Sequence, residues 1–193
     1  AGDLRLEAEV AGFGALVDDL IQWRLLSANV SVAQNVTKAR VLGVEASARA
    51  WWRRTLGLAV QLTFTDARDA GDVPATAGKL LPNRPQWRGY LRPEWRGVSF
   101  GGVGLSTYAE LDVTGGNFRT ATNTWWIEPR VLLGGGLSLT HDATGLALAV
   151  SAQNLLDSRV NDFNGFPLPG RAAYATLSGR WDFAGDAATG ATP

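Results

Sequence analysis

The chain holds 193 residues, 46% of them hydrophobic, with 23 glycines, 8 tryptophans, no cysteine and no methionine. Its 18 basic and 18 acidic side chains cancel, which removes a general pull toward nucleic acid, and the lack of cysteine excludes a disulfide framework and a thiolate metal site. No window approaches the roughly 18 consecutive apolar residues of a membrane helix, so this chain could cross a bilayer only with strands.

In chain order, Leu4, Leu6, Ala8 and Val10 alternate with Arg5, Glu7 and Glu9, and this first predicted strand runs to about Gln22. A polar stretch, residues 23–34, follows as a predicted long loop. The second strand sets Leu42, Val44, Ala46, Ala48, Ala50 and Trp52 against Gly43, Glu45, Ser47 and Arg49. Only Arg53-Arg54 then intervenes before a third strand, opened by Thr55, in which Leu56, Leu58, Val60, Leu62 and Phe64 alternate with Gly57, Ala59, Gln61, Thr63 and Thr65. Side chains on a strand point to opposite faces in turn, so each segment has one oily and one wet face.

Residues 66–85, rich in Asp, Gly and Pro, read as a second long loop. The fourth strand places Trp87, Gly89, Leu91, Pro93 and Trp95 opposite Arg88, Tyr90, Arg92, Glu94 and Arg96, with a tight turn expected at Gly97. Pro93 conflicts with a central strand because it lacks a ladder donor. The fifth strand spans Val98 to about Leu111, with glycines on both sides, and a loop over residues 112–124 leads to a sixth from Trp125 to Leu139. After a turn at His141-Asp142-Ala143, the seventh alternates Leu146, Leu148, Val150 and Ala152 with Ala147, Ala149, Ser151 and Gln153. A loop over residues 155–170 reaches the eighth, with Ala173, Ala175, Leu177, Gly179, Trp181 and Phe183 on one face and Tyr174, Thr176, Ser178, Arg180 and Asp182 on the other.

The connections thus alternate long and short across an even number of strands. That puts all long loops at one end and both chain ends at the other, the topology of bacterial outer-membrane barrels. The tryptophans, at positions 23, 51, 52, 87, 95, 125, 126 and 181, fall near strand ends, as interfacial girdles do. Arg5, Glu7, Glu9, Glu45, Arg49, Arg88, Arg92, Glu94 and Arg180 all fall on the wet face, and the well-patterned strands carry no charge on the oily one. An open sheet edge in hydrocarbon costs several kcal/mol per stranded polar group. The eight strands must therefore close on themselves or pair with strands from elsewhere.

Several segments resemble a known family. Asp18-Asp19-Leu20-Ile21-Gln22, Asn35-Val36-Thr37-Lys38-Ala39-Arg40-Val41-Leu42-Gly43-Val44-Glu45-Ala46-Ser47, Thr63-Phe64-Thr65-Asp66-Ala67 and Leu81-Pro82-Asn83-Arg84-Pro85 look like successive barrel segments of TonB-dependent outer-membrane receptors. Asn154-Leu155-Leu156-Asp157 and Gly165-Phe166-Pro167-Leu168-Pro169-Gly170-Arg171 are similar to the last strands of the vitamin B12 and siderophore receptors in that family. The resemblance implies the carboxy-terminal part of such a barrel. It also implies uptake of a scarce ligand such as a siderophore or cobalamin, with outer-membrane lipid, the rest of the barrel and its plug or a second chain, the TonB energy complex and the barrel-assembly machinery as partners. Family barrels usually end on an aromatic residue matching Phe183, whereas this chain continues with a polar tail. Residues 1–183 are expected to be barrel, and 184–193 a disordered tail. The absence of a signal peptide at Ala1-Gly2-Asp3 suggests a processed form or a piece of something longer.

Ligand-binding groups are expected in the outer loops, where aromatic and polar contacts mix: Phe118, Arg119, Trp125 and Trp126 in the third, and Phe163, Asn164 and Phe166 in the fourth. Asp66, Asp69 and Asp72 are spaced by three rather than in the alternate pattern of a calcium loop, so they read as turn acids. Catalysis is not expected: the single histidine, His141, lies in a turn opposite the loops, and no cofactor, metal or phosphate loop is indicated. Gly134-Gly135-Gly136 lies inside a strand and points to close packing or a bend. The reading is an all-β, antiparallel array of transmembrane barrel strands in the bacterial outer membrane. The alternatives are a self-contained eight-stranded barrel with a structural or adhesive role, and a soluble β-sandwich binding module.

Overall fold

The structure, a computed structural model, describes residues 3–27, 30–159 and 167–180. The described residues form ten strands: β1 (Leu4–Ser27), β2 (Val30–Trp52), β3 (Leu56–Asp69), β4 (Trp87–Phe100), β5 (Val103–Thr114), β6 (Asn117–Phe118), β7 (Trp126–Ile127), β8 (Arg130–His141), β9 (Leu146–Gln153) and β10 (Ala172–Gly179). Eight of them form one antiparallel sheet in the order β1-β2-β3-β4-β5-β8-β9-β10, and β6 and β7 form a small hairpin apart from it. Each strand of the large sheet touches only its sheet neighbours, so β1 and β10 are open edges among the described residues.

Register fixes the two faces. Leu56, Leu58, Val60, Leu62 and Phe64 share a side with Trp52, Ala50, Ala48, Ala46 and Val44 of β2 and with Trp95, Pro93, Leu91, Gly89 and Trp87 of β4. Among the described residues no second layer covers this side: Leu58 is 43% exposed, Leu62 54% and Leu177 74%. Among the described residues the buried hydrophobic ones are Ala39, Ala67 and Leu81. A sandwich would bury the row from Leu56 to Phe64 against a facing sheet about 10 Å away, and here that row lies open. From Leu56 to Phe64 the apolar row runs about 27 Å along the strand before tilt, comparable to the apolar band of about 25 Å in outer-membrane barrels.

Charge marks where the band stops. The next residue on this face, Asp66, accepts Nε of Arg68 at 2.8 Å, Nη2 of Arg40 at 3.5 Å and Nε2 of Gln86 at 3.2 Å. Directly below, Phe64 and Trp87 pack at 4.4 Å between centroids. At the short-turn end, Trp52 and Trp95 face the same way. Among the described residues the expected girdle therefore reduces to Trp52, Trp87 and Trp95. Trp51 points to the wet side and lies on Gly57, where a Cβ would come within 2.7 Å of the indole. Trp23 sits on β1 beyond the band, and Trp125 and Trp126 belong to a loop.

Three expectations are corrected. Residues 23–34 are not a long loop: β1 and β2 stay paired to Ser27 and Val30, far beyond Asp69 of β3, whose partner on β2 is Ala39. Gly97 is not the turn but lies in a bulge between Arg96 and Ser99, and the chain reverses at Gly101 and Gly102, whose φ values are 59° and 79°. The strand predicted from Trp125 begins at Arg130 instead. Pro93 does sit in a central strand: pairing to β3 is continuous, while the ladder to β5 is interrupted at Arg92 and Pro93 without loss of register. The missing N–H is thus confined to one side. The fifth strand's facing is also settled, with Tyr108, Glu110 and Asp112 wet and Thr107, Ala109 and Leu111 oily.

The small core lies on the wet face at the long-loop end. Residues 70–86 fold back over the sheet, held by the N–H of Leu81 donating to the Ala67 carbonyl at 2.9 Å and that of Asp69 to Lys79 at 2.9 Å. Leu81 packs there with Ala39 and Ala67, flanked by Val17, Leu20 and Val41. Trp181, Phe183 and the tail from 184 lie outside the described residues.

Candidate ligand site at the long-loop end

The described residues of three connections lie at this end: 70–86, 115–129, and 154–159 with 167–171. In the second, β6 and β7 pair Phe118 with Trp126, whose rings stand 5.0 Å apart, edge to face. The Trp126 ring lies on Gly116, a position where a Cβ would clash with it. Arg119 stacks over Trp125 at 4.5 Å, and its N–H donates to the Trp125 carbonyl at 2.8 Å. All four predicted residues of this loop are thus brought into one small hairpin. Phe118 and Arg119 are half-buried and Trp125 and Trp126 exposed.

That hairpin is docked, not free. Asn123 accepts the Leu80 N–H at 2.9 Å and returns its Nδ2 to the Leu80 carbonyl at 2.9 Å, while the Asn83 N–H donates to the Phe118 carbonyl at 2.8 Å. Asn123 has a φ of 57°, a conformation its short side chain tolerates. Since residues 80–83 are pinned by Leu81 in the small core, the exposed Trp125 and Trp126 stand on a fixed base.

The last loop is clamped at its neck. Asn154 is buried; its Oδ1 accepts the Ser158 N–H at 2.8 Å and its Nδ2 donates to the carbonyls of Ser158 at 3.2 Å and Pro169 at 3.0 Å. Asp157 accepts the Arg171 N–H at 3.4 Å. The Asn154-Leu155-Leu156-Asp157 segment therefore joins the two ends of a loop. Phe163, Asn164 and Phe166 lie outside the described residues.

Below the loops, the wet wall holds groups that the loop-centred reading missed. Gly134 and Gly136 leave room on β8: a Cβ at Gly134 would stand 2.9 Å from Glu110 Oε1, and one at Gly136 2.9 Å from Tyr108 Cε1. Tyr90 donates to Glu110 at 3.3 Å, and Arg92 stacks on Tyr108 at 3.9 Å. A cleft of about 400 Å³ opens there, lined among others by Tyr90, Glu110, Asp112, Gln153 and Tyr174. Their shared position on the wet alternation was the available signal. Among the described residues no group of His, Asp and Glu is arranged to hold a metal. Asp69 shapes a turn, accepting the Gly71 N–H at 2.8 Å.

A single-layered antiparallel sheet, bare and apolar outside and charged inside, with long loops gathered at one end, is the wall of a transmembrane β-barrel. The family model described as TonB dependent receptor-like, beta-barrel, matches residues 2–155, and the chain belongs to that family. Solved structures agree on the fold. The ferric preacinetobactin receptor BauA from Acinetobacter baumannii superposes with a TM-score of 0.72 at 16% identity, over 89% of this chain and 26% of that one. The ferric yersiniabactin uptake receptor FyuA from Yersinia pestis gives 0.66 at 19% identity, over 92% and 26%. A protein titled copper transporter OprC gives 0.69 at 16%, over 89% and 28%. The chain spans about a quarter of the length of these structures. No curated protein matches it.

Proposed function

We propose that this chain is part of the barrel wall of an outer-membrane receptor that imports a scarce compound, a siderophore or cobalamin, with energy delivered through the TonB complex. The open edges carry the reading. Among the described residues β1, 24 residues long, and β10, eight long, are each paired on one side only, and in hydrocarbon each unsatisfied group on the open side costs several kcal/mol. Both edges call for strands outside this chain, which favours a larger barrel over eight strands closed on themselves. The long-loop end faces outward, as in barrels of this topology. Trp125 and Trp126, on their fixed hairpin, together with Phe118, Arg119, Phe163, Asn164 and Phe166, are the proposed first contacts for the ligand, and the cleft at Tyr90 and Glu110 lies inward of them. The neighbours named for iron chelates and for copper support an uptake role and leave the compound open.

Uptake of labelled ferric siderophore, cobalamin and copper into cells with and without the whole protein tests this. One of the three should fall about tenfold or more on deletion of the gene and also on collapse of the proton gradient. Uptake of all three unchanged by deletion would overturn the proposal.

A further inference from the structure

The short-turn end carries a charged site that the uptake reading does not use. The turn joining β2 to β3 consists of Arg53 and Arg54, with φ of 51° and 58°, closed by the Thr55 N–H donating to the Trp52 carbonyl at 3.0 Å. Such a mirror-image turn favours Asn-Gly, because left-handed backbone is costly for residues bearing a Cβ. Two consecutive arginines hold it here. Strain of this type marks places where something other than folding fixes the residue.

The surroundings show what that is. Arg53 is anchored: its N–H donates to the Asp3 carbonyl at 2.7 Å, its Nε to the Asp3 carboxylate at 3.0 Å, and its guanidinium stands 5.1 Å from the Trp52 ring centre. Arg54 makes no hydrogen bond or ion pair with the described residues. Arg5 and Arg96 approach from β1 and β4 on the wet side, Arg96 stacked on Trp51 at 4.1 Å. Together they border a cleft of about 710 Å³ lined by Asp3, Arg5, Trp51, Arg53, Arg54 and Arg96. Glu7 holds Arg5 at 3.1 Å and Glu94 holds Arg96 at 3.1 Å, but neither carboxylate lines the cleft. Four guanidiniums therefore border the cleft: Glu7, Asp3 and Glu94 each hold one, and the charge of Arg54 has no partner among the described residues.

Converging guanidiniums repel one another unless an anion lies between them, and their planar donor forks match the oxygens of a phosphate. We propose that this cleft, formed by Arg5, Arg53, Arg54 and Arg96 over Trp51, binds a phosphate group. The group arrives either on a soluble phosphorylated compound or on a lipid headgroup at the rim, where Trp52 and Trp95 face the bilayer.

The test uses the whole protein that carries this chain, purified in neutral detergent. Binding of radiolabelled inorganic phosphate is measured by equilibrium dialysis, and retention of phosphatidylglycerol against phosphatidylcholine by native mass spectrometry. The double variant R53N/R54G keeps the turn, in a sequence that suits it better, and removes two cations. The native protein should bind at least one probe saturably and more weakly at high salt, and R53N/R54G should bind it about tenfold less or worse, given two lost charge-assisted contacts. Where R53N/R54G fails to assemble, R5Q/R96Q answers the same question without touching the turn. Retention of phosphatidylglycerol that inorganic phosphate displaces assigns the headgroup; phosphate binding without lipid retention assigns a soluble compound. No binding of either probe, or binding undiminished in the variant, would overturn the proposal.

Discussion

At the scale of single residues, one step along a strand decides which solvent a side chain meets. Leu62 and Gln61 are neighbours on β3, yet Leu62 belongs to the bare apolar row and Gln61 to the wet wall. Leu62→Arg places a charge near the middle of the band and is expected to cost about 2–4 kcal/mol, whereas Gln61→Arg should stay within about 0.5 kcal/mol. Urea unfolding of the whole protein in lipid vesicles measures both, and equal costs would contradict the face assignment. In the loop hairpin, Trp125 and Phe118 separate contact from scaffold. Trp125→Ala removes an exposed ring and should weaken ligand affinity about fivefold or more with little change in stability. Phe118→Ala breaks the edge-to-face pair with Trp126, worth about 0.5–1.5 kcal/mol, and should increase proteolysis of residues 115–129. Titration of the imported compound against each variant, beside limited digestion, distinguishes the two roles.

At the scale of elements, Asn154 stands for the way irregular segments are held. Asn154→Ala leaves the Ser158 N–H and the Pro169 carbonyl without their partner. It should cost about 1–3 kcal/mol and expose the last loop to protease, while the rest of the sheet stays resistant. An unchanged digestion pattern would contradict the clamp. What the sequence revealed follows the same division. Where one face of a strand meets an apolar phase, as from Leu56 to Phe64 or from Leu146 to Ala152, period-two alternation reports both strand and facing, and the register agrees residue by residue. Residues 23–34 lie beyond the band with no apolar phase on either side, so nothing imposes alternation there and a paired strand reads like a loop. Gly97 looked like a turn because glycine serves bulges and turns alike. Trp51 and Trp52 show the limit for side chains: adjacent indoles point to opposite faces, one onto Gly57 and one outward, and only parity separates them. Composition marks the hairpin of Phe118 and Trp126 but not its docking by Asn123 onto Leu80, because that depends on contacts across some forty residues.

At the scale of the whole molecule, the sheet is a wall with no second layer among the described residues. Among the described residues the buried hydrophobic core amounts to Ala39, Ala67 and Leu81, far too little to order so long a sheet in water, where burial must offset about 1–2 kcal/mol of backbone entropy per residue. On the proposed reading the missing stabilisation comes from acyl chains on the apolar face and from strands at the two edges. The chain contains no cysteine, so single cysteines can be introduced along β3 of the whole protein, spin-labelled and read in lipid vesicles by their collisions with oxygen, which partitions into acyl chains, and with a water-soluble nickel chelate. Labels at positions 58, 60 and 62 should collide mainly with oxygen and those at 59, 61 and 63 should not, giving an accessibility pattern of period two across the band. Labels at 58, 60 and 62 that are shielded from both reagents, or that meet the nickel chelate freely, would contradict the claim that this face touches lipid.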